Sequence, residues 1–499
     1  MNARIAPLVL ISCAAYGLTV QPARAEPVLA FRQNALGRDP NERIKMIRAA
    51  REALSPEAVR LLVVLLGDTH PRVRQEAIQA LGGVVEESAV AYVAKALEKS
   101  ACEEVRAGAA EALGRIDSTA SRTALEAALG DRSPKVRACA LDALGRMADP
   151  STAALVAARL KDPDPVVRAA AVEALASVDP ARAARELPAC LADRDVPVRM
   201  AAVEGLSRVA PAEAASTIKR ALADPAWQVR ATAIDRAETI RKPELIPLLI
   251  DRIEKEDGRL RGDLLRALRS LTRKEIGLDA EGWRIWWGHH GKDFACPETA
   301  KDGPQAPAPL TIATFCSIPL YSRRVAFVLD LSGSMRDTSN GGTEGPRKVD
   351  VVKAELHKAI RSFTPETRFN VILLGSDAEG RFDAKKRVWM PRLTPATPAA
   401  REHAIQFSAA QIARGYTNLY DAVLVAFQDP DVDTVILLSD GGATKGTFVA
   451  RGEILDNLLR ENRWRKIAIH TVASGARRGA DQGLLTELAA QTGGVFVKK

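Results

Sequence analysis

Oxygen-bearing side chains follow an apolar segment in the second half of the chain. In "FVLDLSGSM", Asp330, Ser332 and Ser334 stand at alternate positions, with Gly333 between the two serines. Alternate positions beyond a strand end turn both hydroxyls toward one point, and the glycine allows the bend. The stretch therefore predicts a cluster of oxygen ligands where a buried strand meets a turn.

Two later segments supply further oxygen ligands. "GYTNLYDAV" places Thr417 in a loop just before a helix, and Asp440 ends the apolar segment "VILLSD". In open parallel sheets, ligands bind at the carboxyl ends of the strands. The five residues expected to meet at that edge are Asp330, Ser332, Ser334, Thr417 and Asp440. With neither nitrogen nor sulfur among them, they suit a hard divalent cation, Mg²⁺ first, with Mn²⁺ or Ca²⁺ as alternatives.

The elements that carry these residues alternate between apolar strands and amphipathic helices. The strands "RVAFVLD", "RFNVILLG", "DTVILLSD", "KIAIHTVAS" and "GVFVKK" are separated by helix-length segments such as "DVVKAELHKAIRSF". Strands that are apolar on both faces predict a parallel sheet covered by helices on both sides, a doubly wound, Rossmann-like α/β fold. "RVWM" near Val388 is expected to add a short edge strand.

Residues 318–499 resemble a von Willebrand factor A domain with its metal ion-dependent adhesion site. The resemblance rests on "DLSGS", the threonine of "GYTNLYDA" and the aspartate of "LLSDGG", which occur in that order. It implies a non-catalytic site whose open coordination position takes an oxygen, often a partner's carboxylate. It also implies that Asp330 and Asp440 act partly through bound waters. The loop "RDTSNGGTEGPRK" should rim this site and help to set its specificity.

The first half of the chain repeats itself with a period of 31 or 32 residues. Segments such as "DRSPKVRACALDALGRM" superpose without gaps, and each unit holds two helical patterns separated by turn residues. The units resemble short, alanine-rich HEAT repeats of the phycobilisome lyase kind over residues 36–275. They predict an all-α solenoid, whose usual use is to offer a surface to a protein or peptide. The repeat arginines are Arg74, Arg106, Arg137, Arg168, Arg199 and Arg230.

Aspartates recur six residues before five of these arginines, and this offset gives most of the arginines a structural role. We expect a ladder of Asp/Arg pairs that joins neighbouring repeats, while a phosphate-binding stripe is the alternative. The net charge of +9 invites a nucleic-acid partner, but the ladder would engage these arginines, so none is expected. The aspartates are Asp68, Asp131, Asp162, Asp193 and Asp224.

The chain begins with a pattern typical of exported proteins. A basic start, an apolar stretch and Ala23-Arg24-Ala25 predict a signal peptide over residues 1–25, cleaved before Glu26. An uncleaved anchor and a lipoprotein at Cys13 are the alternatives. Without a later apolar segment long enough to span a bilayer, the mature protein is expected to be secreted or periplasmic.

Two segments connect the halves. Residues 276–295 form an aromatic capping segment, in which Trp283, Trp286 and Trp287 should plug the open end of the last repeat. His289 and His290 point apart on a helix and are not expected to bind metal. Residues 296–317 are a stiff, proline-rich linker.

A disulfide between Cys296 and Cys316 would close this linker, although Cys316 could equally be packed in a strand. Cys102, Cys139 and Cys190 are expected to be small core residues.

These features together predict a multidomain, non-catalytic binding, adhesion or scaffold protein outside the cytoplasm. It would bind protein partners through a Mg²⁺-dependent site and a helical-repeat surface, with neither a nucleic acid partner nor a membrane span after signal cleavage. A metal-dependent, phosphatase-like hydrolase using Asp330 is one alternative, although Ser332 replaces the second acid that such enzymes carry. An accessory subunit of an ATPase complex is another. His357, His403 and His470 are expected to be structural.

Overall fold

The computed structural model describes most of the chain in two compact units, which divide between Pro211 and Ala212. The described residues are 39–52, 54–116, 118–297, 313–339, 345–375, 382–440, 442–474 and 482–499. The predicted signal peptide and most of the predicted linker lie outside them. Within these ranges, every helix is too short or too polar to cross a bilayer.

Helices make up the described part of the first unit. Helices α3, α7 and α9 each begin with a proline. The fixed φ of proline suits a helix, and its missing N–H costs nothing there because the first N–H groups of a helix have no partner within it. Alanine and glycine bring successive helices close together, since a Cβ on Gly145 of α7 would lie 3.0 Å from the Ala174 Cα of α9. The helices are α1 Pro40–Glu52, α2 Pro56–Leu65, α3 Pro71–Leu81, α4 Glu87–Lys99, α5 Glu103–Leu113, α6 Thr119–Ala128, α7 Pro134–Met147, α8 Ala153–Ala158, α9 Pro165–Val178, α10 Pro180–Glu186 and α11 Val196–Val209.

The repeat arginines join neighbouring repeats, as the sequence predicts. Arg137 donates to both carboxylate oxygens of Asp162, at 2.9 and 2.7 Å, and its remaining nitrogen donates to the Asp131 carbonyl at 2.9 Å. Burial raises the pKa of Asp162, but the Arg137 guanidinium and the Asp164 N–H together outweigh burial, so the net direction is downward. Pairs of the predicted kind within the units are Arg106–Asp131, Arg137–Asp162 and Arg168–Asp193. Arg43–Asp68 extends the series toward the start of the chain, and Arg230 pairs with a glutamate, Glu256. Arg74 donates to the Asp68 and Thr69 carbonyls of its own repeat.

The second unit continues the repeats and then changes to an α/β fold. Its helices are α12 Ala214–Leu222, α13 Trp227–Ile240, α14 Ile246–Ile250, α15 Gly258–Thr272, α16 Ala280–His290, α17 Lys348–Ser362, α18 Ala384–Arg387, α19 Pro398–Ala410, α20 Leu419–Phe427, α21 Arg451–Asn462 and α22 Gln482–Thr492. Its strands are β1 Thr314–Phe315, β2 Ile318–Pro319, β3 Arg324–Asp330, β4 Arg368–Leu374, β5 Thr394–Pro395, β6 Thr434–Ser439, β7 Ala468–Ala473 and β8 Phe496–Lys498. Short 3₁₀ segments cover Pro150–Thr152, Arg159–Lys161, Leu187–Ala192, Pro211–Glu213, Pro243–Leu245, Gly291–Asp293 and Gly333–Arg336.

Strands β3 to β8 form one sheet in the order β5-β4-β3-β6-β7-β8, parallel except for β5. Alternate residues of β3 enter two cores: Phe327 and Leu329 pack with α17 and α19, whereas Val328 packs with α20, α21 and α22. Burial on both faces explains why this strand is apolar throughout. The doubly wound prediction is confirmed, but the edge strand is β5, since Val388 makes only an isolated bridge to Ile372.

Helix α15 of the last repeat contacts the amino-terminal ends of the parallel strands. Arg259 donates to the Asp433 carbonyl at 3.1 Å and also to the Lys466 carbonyl. Gly262 lies against Tyr321, where an added Cβ would come within 2.7 Å of the ring. Within this unit the repeat helix therefore packs at the sheet edge opposite the carboxyl ends of the strands.

The aromatic segment and the cysteines differ in part from expectation. Trp283 is fully buried in α16, whereas Trp286 and Trp287 are half-buried and pack edge-on against Phe294. The three repeat cysteines are half-buried instead of inside the core, and Cys296 and Cys316 are both free thiols. The structure therefore does not contain the disulfide considered for the linker.

Candidate metal centre

The sheet brings the two predicted carboxylates to the same edge. Asp330 is the last residue of β3, and Leu329 pairs with Leu438 of the adjacent strand β6. Because the strands are parallel, this register places Ser439 and Asp440 beside Asp330. Asp440 lies one residue beyond the end of β6, slightly later than the sequence pattern indicates.

A chain of hydrogen bonds joins four of the five predicted residues. The Ser332 N–H donates to Asp330 Oδ1 at 2.8 Å, and the Ser332 and Ser334 hydroxyls are 3.1 Å apart. The Ser334 hydroxyl donates to Asp440 Oδ1 at 2.8 Å. Since Ser334 opens to the surface while Asp330 is fully buried, the cluster leads from the sheet core to solvent.

Thr417 reaches the cluster through its loop. The Gly333 N–H donates to the Gly415 carbonyl at 3.0 Å, which ties this loop to the serine turn. The Thr417 N–H donates to the Thr444 hydroxyl at 2.9 Å, so the loop is also tied to the segment after Asp440. Thr417 is thus buried between the two segments that carry the carboxylates, although its own hydroxyl is not part of the hydrogen-bonded chain described above.

Burial raises the pKa of Asp330, and the neighbouring Asp440 carboxylate raises it further, while the bonds from Ser332 and Ser439 oppose the change. A buried carboxylate that faces a second one is costly to ionise without a compensating positive charge. A cation at this edge of the sheet would offset that cost.

Comparison with protein families identifies both halves of the chain. The model for HEAT repeats matches residues 29–100, 90–176 and 184–269. The model for the von Willebrand factor type A domain matches residues 323–497. The chain consists of HEAT repeats followed by a von Willebrand factor A domain. Both are typically non-catalytic interaction modules, which supports a protein-interaction role.

Individual relatives match only parts of the chain. It is 30% identical over 151 residues to the human inter-alpha-trypsin inhibitor heavy chain H4, a match that covers 28% of this chain and 14% of that relative. The phycocyanin lyase complex of CpcE and CpcF from Nostoc is 19% identical, covering 46% of this chain and 94% of that one, with a TM-score of 0.30. A von Willebrand factor type A protein from Catenulispora acidiphila is 21% identical, covering 36% and 40%, with a TM-score of 0.28.

The donor set of the von Willebrand factor A domain fits a hard divalent cation. Two carboxylates and three hydroxyls offer oxygen only, and such ligands suit Mg²⁺, Mn²⁺ or Ca²⁺. Among the described residues, no group of three or more His, Cys, Asp or Glu side chains is arranged to hold a metal ion. Binding at this site would therefore depend on the hydroxyls of Ser332, Ser334 and Thr417 as well as on the carboxylates.

Two residues of the centre were missed from the sequence. The Ser439 hydroxyl donates to Asp330 Oδ2 at 2.7 Å, and the Lys348 ammonium lies 2.7 Å from Asp440 Oδ2. Ser439 could have been found from the β3–β6 register. Lys348 had two signals: it ends the segment "RDTSNGGTEGPRK" that was expected to rim the site, and it lies four and eight residues before the buried Val352 and Leu356, on the same face of the helix.

The histidines have structural partners, as expected. His357 Nε2 lies 2.9 Å from the Ser408 hydroxyl, and His403 Nδ1 lies 3.3 Å from Trp389 Nε1. The Val495 N–H donates to His470 Nδ1 at 3.0 Å. Their contacts thus lie with these neighbours and not with the residues of the candidate centre.

Proposed function

We propose that this chain is an exported, non-catalytic binding protein that captures a protein partner through a Mg²⁺-dependent site in its von Willebrand factor A domain. The helical repeats would provide a second binding surface. The observation that carries the proposal is the hydrogen-bonded chain from Asp330 through Ser332 and Ser334 to Asp440.

The chemistry of this chain of residues supports cation binding. Asp330 and Asp440 would balance the charge of the ion, while the neutral hydroxyls of Ser332, Ser334 and Thr417 would leave it electrophilic. A bound Mg²⁺ ion would supply an open coordination position that a partner's carboxylate can fill. The protein's own residues hold the donors in place through the backbone bonds of the serine turn and the Thr417 loop.

The surface beside the site supports partner binding. Ile412 and Tyr416, in the loop that leads to Thr417, are 70% and 44% exposed. Lys445 Nζ lies 5.5 Å from the centre of the Tyr416 ring, and Arg414, which stands between Ile412 and Tyr416 in the sequence, is exposed. Exposed apolar residues mixed with cations next to a metal-binding edge suit a partner that offers an acidic side chain together with apolar contacts.

The repeats support a protein partner more than a nucleic acid. Their arginines are engaged by carboxylates and backbone carbonyls, as in the contacts of Arg106 with Asp131 and Ser100. Guanidiniums held in this way are costly to release for phosphate binding. Export is supported by the pattern of residues 1–25 alone.

The proposal is tested with the full chain by calorimetric titration with Mg²⁺ and Mn²⁺. Ser332→Ala and Thr417→Ala should fold normally and bind the ion at least about tenfold more weakly, because each removes one neutral ligand. Asp330→Ala should bind more weakly still, since it also removes a balancing charge. Equal titrations for the wild type and Asp330→Ala would contradict the site.

The partner is sought by capture from the exported fraction of the source cells, with Mg²⁺ present and then with chelator. The Thr417→Ala chain serves as the matched bait, because its surface outside the site is unchanged. A partner of the metal site should be released by chelator and missed by Thr417→Ala. A partner that stays bound in the presence of chelator and also binds the Thr417→Ala chain would be assigned to another surface.

A further inference from the structure

Lys348 places an ammonium group inside the candidate metal centre. It is the first residue of α17, and its side chain is only 6% exposed. Its Nζ lies 2.7 Å from Asp440 Oδ2, and the Asp440 side chain is itself 2% exposed. The other carboxylate oxygen, Oδ1, accepts the hydrogen bond from Ser334. Both oxygens of Asp440 are therefore engaged by groups of the protein.

The fold fixes this position. Val349 and Val352, which follow on the same helix, are buried in the core on one face of the sheet. The Lys348 N–H donates to the Asp337 carbonyl at 3.0 Å, so the start of α17 is also tied to the segment that follows the serine turn. Lysine is rarely buried unless it is paired. Its ammonium is thus held at Asp440 by the packing of the helix and not by chance contact of a surface chain.

We propose that Lys348 is a built-in cation of the adhesion site, which competes with the divalent ion for Asp440 and keeps the affinity for that ion low until a partner binds. This inference rests on the proposed function, in that it assigns a regulator to the same site. Like charges repel strongly at separations of a few ångströms in a site of low dielectric constant. A divalent ion at the donors must therefore approach against the Lys348 charge or displace it from Asp440.

The charges of the site indicate why a partner would matter. With both carboxylates ionised, as metal ligation requires, Asp330 and Asp440 contribute two negative charges and Lys348 contributes one positive charge. A divalent ion added to these three groups leaves an excess of one positive charge, which one carboxylate from a partner would neutralise. Without Lys348 the same two carboxylates would balance the ion by themselves. Lys348 would thus link tight metal binding to the arrival of an acidic partner, each strengthening the other.

The test is calorimetric titration of the full chain with Mn²⁺ alone and with Mg²⁺ alone. Lys348→Met keeps much of the buried stem and removes the charge, so it should bind either ion at least tenfold more tightly than the wild type. Lys358→Met is the matched control, since it removes the same charge from an exposed position on the same helix, and it should stay within twofold. Asp330→Ala reports whether the ion binds at this site.

The outcomes separate the inference from the proposed function. Wild-type binding that is lost in Asp330→Ala but unchanged in Lys348→Met would overturn the role of Lys348 and leave the metal site standing. Binding by Lys348→Met alone would support Lys348 as the resident cation and overturn a Mg²⁺ requirement in the wild type. Binding by none of the chains would overturn both. Lys348→Gln carries the same expectation if the methionine variant does not fold.

Discussion

The Ser439 hydroxyl donates a 2.7 Å hydrogen bond to Asp330 Oδ2, and both residues are fully buried. The bond crosses from β6 to β3, so it fixes the orientation of the carboxylate without making Ser439 a ligand. Groups that orient a metal ligand in this way commonly change metal affinity by one to two orders of magnitude.

Ser439→Ala should therefore weaken Mn²⁺ binding by about tenfold, less than Asp330→Ala does, and should lower the free energy of unfolding by about 1–3 kcal/mol because Asp330 loses a buried partner. Ser408→Ala is the control, since it removes another buried hydroxyl of the domain, which contacts His357. It should lower stability and leave the titration unchanged. If the two variants bind Mn²⁺ equally well, the orienting role of Ser439 is wrong.

Removing one arginine of the ladder should destabilise the repeats. Arg168 makes two hydrogen bonds to Asp193, both 2.9 Å, and a third to Asp195 at 2.7 Å. Arg168→Ala leaves a largely buried carboxylate without its counter-charge, and we expect a loss of about 3 kcal/mol in the free energy of unfolding. Chemical unfolding followed by circular dichroism measures this, with Arg146→Ala as the control because Arg146 is exposed.

The same pair of variants tests the nucleic-acid alternative. Binding of a labelled DNA duplex at low salt should be unaffected by Arg168→Ala. A DNA affinity that falls in this variant while stability is unchanged would favour a phosphate-binding stripe over the ladder.

All five cysteines from Cys102 to Cys316 should carry free thiols. Alkylation of the denatured chain without reductant, followed by peptide mass spectrometry, should find each of them modified, and a bridged Cys296–Cys316 peptide would contradict the structure. In the native chain Cys190 and Cys316 should react slowly. Burial raises the pKa of both thiols to about 11, so little thiolate is present near neutral pH.

Stability should fall as the pH is lowered below about 6.5 because of His470. Burial in β7, together with the guanidiniums of Arg259 and Arg266, lowers its pKa to about 3. Between about pH 6.5 and 3, the unfolded chain binds a proton at this histidine and the folded chain does not. The stability that His470 contributes is therefore fully present above about pH 6.5 and is lost as the pH falls through that range.

His470→Asn can keep an acceptor for the Val495 N–H and does not titrate. When the pH is lowered from 7 to 5, the free energy of unfolding should fall in both chains, and the fall should be about 1–2 kcal/mol smaller in the variant than in the wild type. Urea midpoints at the two pH values measure the difference. His289→Asn, a change at an exposed histidine, should keep the wild-type dependence, and equal slopes for all three chains would contradict the assignment.

Local patterns predicted more of the fold than of the site. The parallel sheet follows from strands such as β3, which are apolar on both faces, and the repeats follow from a period of about 31 residues. The edge strand was misplaced, because "RVWM" has the side chains of a strand but continues from α18 and makes only one bridge, at Val388. Which segment pairs with the outer strand β4 depends on where that strand ends, and the sequence of the pairing segment carries no information about this.

The sequence by itself determined the chemical nature of the candidate centre, because Asp330, Ser332 and Ser334 lie within five residues and their spacing fixes their directions. Only the tertiary structure decided what surrounds them. Ser439 reaches Asp330 through the register of two strands 109 residues apart, and Lys348 reaches Asp440 across 92 residues because α17 packs on the sheet. Contacts of that range depend on the packing of the whole domain, whereas the geometry of a strand end is set by the chain itself.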